Sequence, residues 1–110
     1  MRSIVFGVGI LVIASTAASA QDATIAKGQQ VYADQKCGLC HSIGDKGNKK
    51  GPLDGVGSKL SAADIRLWMT DAKAMTAKTK ATRKPDMKSY TLPKEDLDAL
   101  IAYMQSLKKG

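Results

Sequence analysis

The chain has 110 residues, 44% of them hydrophobic and 25% charged, with a formal net charge of +7. That composition fits a single domain with one core and excludes a collagen-like, low-complexity or polytopic membrane chain. Only one Phe, three Tyr and one Trp occur, and the basic residues are not interleaved with stacking aromatics, so nucleic acid is not an expected partner.

Arg2 precedes an apolar run from Ile4 to Ala14, after which small residues lead to Ala18-Ser19-Ala20. A basic start, a short apolar stretch and an A-x-A end are the form of a secretory leader. The apolar run is shorter than the ~20 residues that span a bilayer, so residues 1–20 are expected to be a cleaved signal peptide rather than an anchor. Export points to an oxidising compartment, most simply a bacterial periplasm, with no stable membrane insertion. Residues 21–110 keep 16 of the 17 basic residues and all 10 acidic ones, a net charge of +6.

Ile25, Gly28, Val31 and Tyr32 recur at helical spacing, which predicts a short amphipathic helix from Thr24 to about Gln35. Residues 42–59, SIGDKGNKKGPLDGVGSK, are punctuated by glycines, Asn48 and Pro52 and read as a loop. In SAADIRLWMTDAK, Ser61 stands three residues before Asp64, close to a capping box, and Ile65, Trp68, Met69 and Ala72 form one apolar face. This predicts a second helix. Residues 76–92 are polar, basic and interrupted by Pro85; they read as an extended loop in which Met87 is the conspicuous apolar residue.

Leu97, Leu100, Ile101, Met104 and Leu107 follow helical spacing, with Pro93 near the start, Glu95 and Asp96 in the first turn and Lys108 and Lys109 at the end. A helix of about four turns follows. No segment alternates as a strand does. The expected class is therefore all-α, with helices joined by long loops. Three short helices supply a thin core for about 90 residues, so a further apolar body is expected in the middle. A flat cofactor burying ~300 Å² of hydrocarbon at ~25 cal/mol per Å² contributes about 7 kcal/mol, comparable with the whole stability of a small domain.

The stretch CGLCH holds the only two cysteines and the only histidine: Cys37, Cys40 and His41. Cys-X-X-Cys-His is the attachment motif of a c-type haem. Two thiols three positions apart on one turn can each form a thioether with a haem vinyl group, and the adjacent imidazole then ligates the iron. The rivals lack parts. A structural zinc site needs four ligands, and no second cysteine pair or histidine exists. A thioredoxin-like dithiol needs a βαβ context, and a plain Cys37–Cys40 disulfide leaves His41 unexplained.

With one histidine spent, the distal iron ligand must come from elsewhere, and methionine is the usual choice in electron-transfer haem proteins. Met69 and Met104 lie on the apolar faces of expected helices and read as core. Met75, near a helix end, is the weaker alternative. Met87 stands in a polar loop where packing explains it poorly, and is the favoured ligand.

The stretches KGQQVYADQKCGLCH, GPLDGVGSKLS, PDMKSY and LPKEDLDALIAYMQSLK together resemble the small monohaem class I cytochromes c, over about residues 24–108. The resemblance implies the class I cytochrome c fold wrapped around one covalently attached haem, with residues 1–20 as signal peptide and 21–110 as the cytochrome c domain. It implies thioethers at Cys37 and Cys40, iron ligation by His41 and Met87, and a hydrogen bond from the outer nitrogen of His41 to the Pro52 carbonyl. Such a bond would fix the imidazole tautomer and raise its basicity; as a residue type, Pro52 reads equally as a loop breaker. Gly28 and Tyr103 would lie where the terminal helices cross. Trp68 and Tyr90 carry polar handles suited to haem propionates, although Trp68 also reads as ordinary core. Many relatives have proline directly after the distal methionine, whereas here Lys88, Ser89 and Tyr90 follow Met87, and Lys84 or Lys88 could displace it at high pH.

The implied function is one-electron transport by a non-enzymatic, monomeric shuttle. Lys78, Lys80, Arg83, Lys84 and Lys88 cluster around Met87; they suit docking with acidic redox partners or are simply a solvated loop. An open or labile distal position would instead make the protein a haem-based gas sensor or peroxidase-like protein.

Overall fold

The computed structural model describes Gly7, Gly9 and residues 16–109. The apolar run expected to be a leader lies, those two glycines apart, outside the described residues. Helix α1 spans Thr16–Asp34, so it begins before the expected start at Thr24 and runs through the proposed cleavage sequence. The motif follows as a 3-10 turn, Cys37–Leu39. Strands β1 (Ser42–Ile43) and β2 (Lys46–Gly47) form a small antiparallel hairpin, with Ser42 opposite Gly47. Four further helices complete the chain: α2 (Val56–Lys59), α3 (Ala62–Thr70), α4 (Ala72–Thr79) and α5 (Lys94–Ser106).

The all-α expectation holds, but two loops carry more structure than their composition suggested. Residues 42–59 contain the hairpin and the single turn α2, which is docked on α5 by Gly57 N–H donating to the Leu107 carbonyl at 2.9 Å. The expected loop at 76–92 begins only after Thr79, because α4 continues through Thr76. The expected single helix over 61–73 is divided at Asp71, where φ −146° and ψ 58° leave the helical region. Asp71 restarts the chain: its side chain accepts the Ala74 N–H at 3.4 Å. An aspartate that competes for local backbone donors favours such a break. Ser61 does cap α3, accepting the Asp64 N–H at 3.1 Å.

The core lies between α1, α3 and α5. Val31, Ile65, Met69, Leu97, Leu100, Ile101 and Met104 form one buried cluster. The α5 positions are those expected from its apolar spacing; Ala99 joins them, 2% exposed, because α1 crosses there. At the crossing, a Cβ on Gly28 would stand 2.7 Å from Tyr103 Cβ and closer still to the Ala99 carbonyl oxygen. Only glycine lets the two backbones approach so far. Tyr32 and Tyr103 meet edge to face beside it, centroids 5.9 Å apart, and Lys27 reaches Glu95 at 3.3 Å and Asp96 at 3.5 Å. These exposed ion pairs add orientation more than stability.

Candidate haem site

The residues of CGLCH are drawn into one turn by local backbone bonds. The Cys37 carbonyl accepts the N–H groups of Cys40 at 3.1 Å and His41 at 2.9 Å, which holds the three residues in one turn. Asn48 braces the turn from the hairpin, its N–H on the His41 carbonyl at 2.9 Å and its side chain on the Leu39 carbonyl at 3.1 Å. Gly47, at φ 100°, allows this closure: a Cβ there would meet the His41 carbonyl.

His41 Nδ1 lies 3.0 Å from the Gly51 carbonyl oxygen. The expected acceptor was Pro52; the structure places the bond one residue earlier. The reason is the bridge between Ser42 and Pro52, in which Ser42 N–H donates to Gly51 O at 3.1 Å and Leu53 N–H to Ser42 O at 2.8 Å. That pairing turns the Gly51 carbonyl toward the motif. Pro52 is exposed and does not line the cavity described below.

Burial holds the His41 pKa below its ordinary value, aided by the nearby Arg83 charge and opposed by the Gly51 bond. The ring is therefore neutral at pH 7, with Nδ1–H donating to Gly51 and Nε2 carrying the free lone pair. Cys37 and Cys40 are free thiols, the first half-buried and the second exposed; burial pushes the Cys37 thiol up.

These three residues open onto a cavity of about 530 Å³, a size typical of cofactor sites. Met87, Trp68 and Tyr90 also line it, as do Leu53, Val56, Ile65, Leu100, Tyr32 and Arg83. Of the seven residues expected in the site, the fold thus brings six to one space and leaves Pro52 outside. Met69 and Met104, read from the sequence as core, are both core and cavity wall; Met75 is buried in α4 and does not line the cavity. Trp68, Met87 and Tyr90 are half-buried. Desolvation raises the Tyr90 phenol pKa.

The residues fit a flat, mostly hydrocarbon group. The walls are largely aliphatic and aromatic, the two thiols and the free imidazole nitrogen belong to one turn, and a thioether sulfur comes from a distant loop. Tyr32 adds a separate mark: its hydroxyl is buried without a hydrogen-bond partner, and burial raises its pKa to about 12. An orphaned hydroxyl beside an apolar cavity is expensive in a protein-only core. Spacing could not have pointed to Gly51 or Tyr32, since one acts through its carbonyl and the other looks like ordinary core.

The family model described as Cytochrome c matches residues 25–108. The chain belongs to the cytochrome c family. Its arrangement of helices is the class I cytochrome c fold, the fold of a family of haem-based electron carriers. The cytochrome c chain is also similar to Cytochrome c oxidase subunit 2 of Alkalihalophilus pseudofirmus (strain ATCC BAA-2126 / JCM 17055 / OF4), 31% identical over 91 residues. That match covers 74% of this chain but 25% of the relative, so the cytochrome c chain spans about a quarter of that protein's length. No solved structure matches it.

Proposed function

We propose that this cytochrome c is a soluble periplasmic carrier of single electrons, with one haem c attached through Cys37 and Cys40 and with His41 and Met87 as axial ligands. The observation that carries the reading is that Cys37, Cys40, His41 and Met87 all line one largely apolar cavity. When bound, the haem supplies the Fe(III)/Fe(II) couple. The protein's work is to hold that couple still and dry. His41 is oriented by the Gly51 carbonyl, which makes Nε2 a better donor to iron. Met87 would hold the distal side, and methionine ligation there would favour the reduced state. Trp68 and Tyr90, which line the cavity, would offer polar contacts to the haem propionates.

With His41 and Met87 both ligating, a bound haem would offer oxygen and peroxide no ready access to iron, which supports a shuttle over an enzyme. Met87→Ala tests this. The unaltered protein is expected to show a low-spin ferric spectrum with the far-red sulfur-to-iron band; the variant should lose that band, turn high-spin, bind carbon monoxide rapidly and fall in potential. Rapid carbon monoxide binding by the unaltered protein would favour the sensor or peroxidase-like alternative.

Lys78, Lys80, Arg83, Lys84 and Lys88 are exposed and surround the approach to Met87 along the chain. Within this group Lys84 pairs with Asp86 at 2.8 Å and Lys88 lies 5.0 Å from the Tyr90 ring centroid. The net positive charge suits acidic donor and acceptor proteins. Electron transfer to an acidic partner should slow several-fold between ~10 mM and ~150 mM salt, as the Debye length shrinks from roughly 30 to 8 Å; stopped-flow rates that ignore ionic strength would refute the docking role.

Export through a cleaved leader and a monomeric state complete the proposal. Its support is the basic start, the short apolar run and the Ala18-Ser19-Ala20 sequence. No helix among the described residues is long and apolar enough to cross a membrane. The intact mass of the exported protein decides the leader question: loss of residues 1–20 is expected, and a mass that retains them overturns it.

A further inference from the structure

The segment between α4 and α5 that carries Met87 has no regular structure from Ala81 to Pro93. Two hydrogen bonds tie its Met87 end to the helices, and both leave from the residues just after the methionine. Tyr90 N–H donates to the Met69 carbonyl at 2.7 Å, and Ser89 Oγ accepts the N–H of Ala72 at 2.9 Å. Ala72 is the first residue of α4 and fully buried, at the break that Asp71 makes between α3 and α4. Its amide belongs to the first turn, which has no partner within its own helix. Asp71 satisfies Ala74 instead, so Ser89 is what pairs the Ala72 donor.

We infer that Ser89 is a positioning residue for the sulfur of Met87: its hydroxyl, seated on the buried amide at the α3–α4 break, fixes where the methionine loop enters the cavity. The inference rests on the reading of Met87 as distal ligand. No proline stiffens the backbone after Met87, and Lys88 is exposed. The restraint on the sulfur therefore comes from Ser89 and Tyr90, two and three residues away. The Tyr90 bond is made by a backbone N–H and survives most substitutions; the Ser89 bond is made by a side chain and can be removed.

The test is the affinity of the ferric haem protein for imidazole, which must displace the distal ligand to bind. Ser89→Ala is expected to raise that affinity about tenfold, equivalent to about 1.4 kcal/mol, and to weaken the far-red band, while Ser89→Thr keeps the hydroxyl and stays near the unaltered value. Ser61→Ala serves as control: it removes the cap of α3 and lowers stability, but should leave imidazole affinity unchanged. Equal affinities in Ser89→Ala and Ser61→Ala overturn the positioning role. If Met87→Ala binds imidazole no more tightly than the unaltered protein, the ligand assignment itself falls and takes the inference with it.

Discussion

Replacing Cys37 and Cys40 together by serine is expected to yield an exported chain whose mass shows no haem adduct and whose haem, if any is held, is removed by acidified organic solvent. The unaltered protein should carry one haem mass that resists the same extraction. The physical basis is the turn at 37–41: Cys37 and Cys40 line the same cavity as His41, so the two proposed thioethers would tether a haem on the same side as the imidazole. Serine preserves size and leaves the Cys37 carbonyl bonds to residues 40 and 41 intact, because those are backbone bonds. What disappears is the covalent link, and with it the high effective concentration of the cofactor at His41. A colourless unaltered protein without an adduct, or a serine variant with extraction-resistant haem, would remove the foundation of the site as described.

Gly28→Ala is the second substitution with a large expected effect, and its sign is opposite to the usual one. Alanine in a helix interior ordinarily stabilises by roughly 0.5–1 kcal/mol over glycine. Here the new Cβ would press on the Ala99 carbonyl oxygen and stand 2.7 Å from Tyr103 Cβ. The first neighbour is backbone and the second is the root of a side chain, so neither can rotate away. Parting α1 from α5 would loosen the contact that covers Val31 and Leu100. A loss of about 2–3 kcal/mol is expected, which lowers the midpoint of thermal unfolding by roughly 10–20 °C in a domain of this size. Lys27→Ala at the same crossing removes the exposed pairs with Glu95 and Asp96 and should change stability little. A Gly28→Ala variant as stable as the unaltered protein would show that the crossing can open without loss.

Both predictions bear on how function is divided in this fold. The terminal helices supply rigidity, with one glycine setting their distance, and the proposed haem ligands lie on a short turn and an irregular loop. The proposed proximal side is secured by neighbours in sequence: Cys37, Cys40 and His41 share one turn, and Gly51 is brought over by the bridge between Ser42 and Pro52. The proposed distal side, the Met87 loop, is tied across the fold by the hydrogen bonds of Ser89 and Tyr90 to the α3–α4 region. Of the two proposed ligands, Met87 is therefore expected to be the more easily exchanged.

Features set by local spacing were legible in the amino-acid order. The haem motif declares itself because its three reactive groups must share one turn, and α5 because every third or fourth residue is apolar. The oddity of a methionine in a polar loop singled out Met87, which does line the cavity. Features that depend on contacts between distant segments were not legible. Whether Gly51 or Pro52 presents its carbonyl to His41 is decided by the pairing of Ser42 with Pro52; composition at 51 and 52 carries no trace of it. The break at Asp71 and the helical turn beyond Thr76 are stabilised by α4 burying Ala72 and Met75, which a weak local propensity could not foretell. That Met69 and Met104 face the cavity as well as the core follows from where α3 and α5 cross. Periodicity reports only that a residue is turned inward; which inner surface it meets is settled when the helices pack.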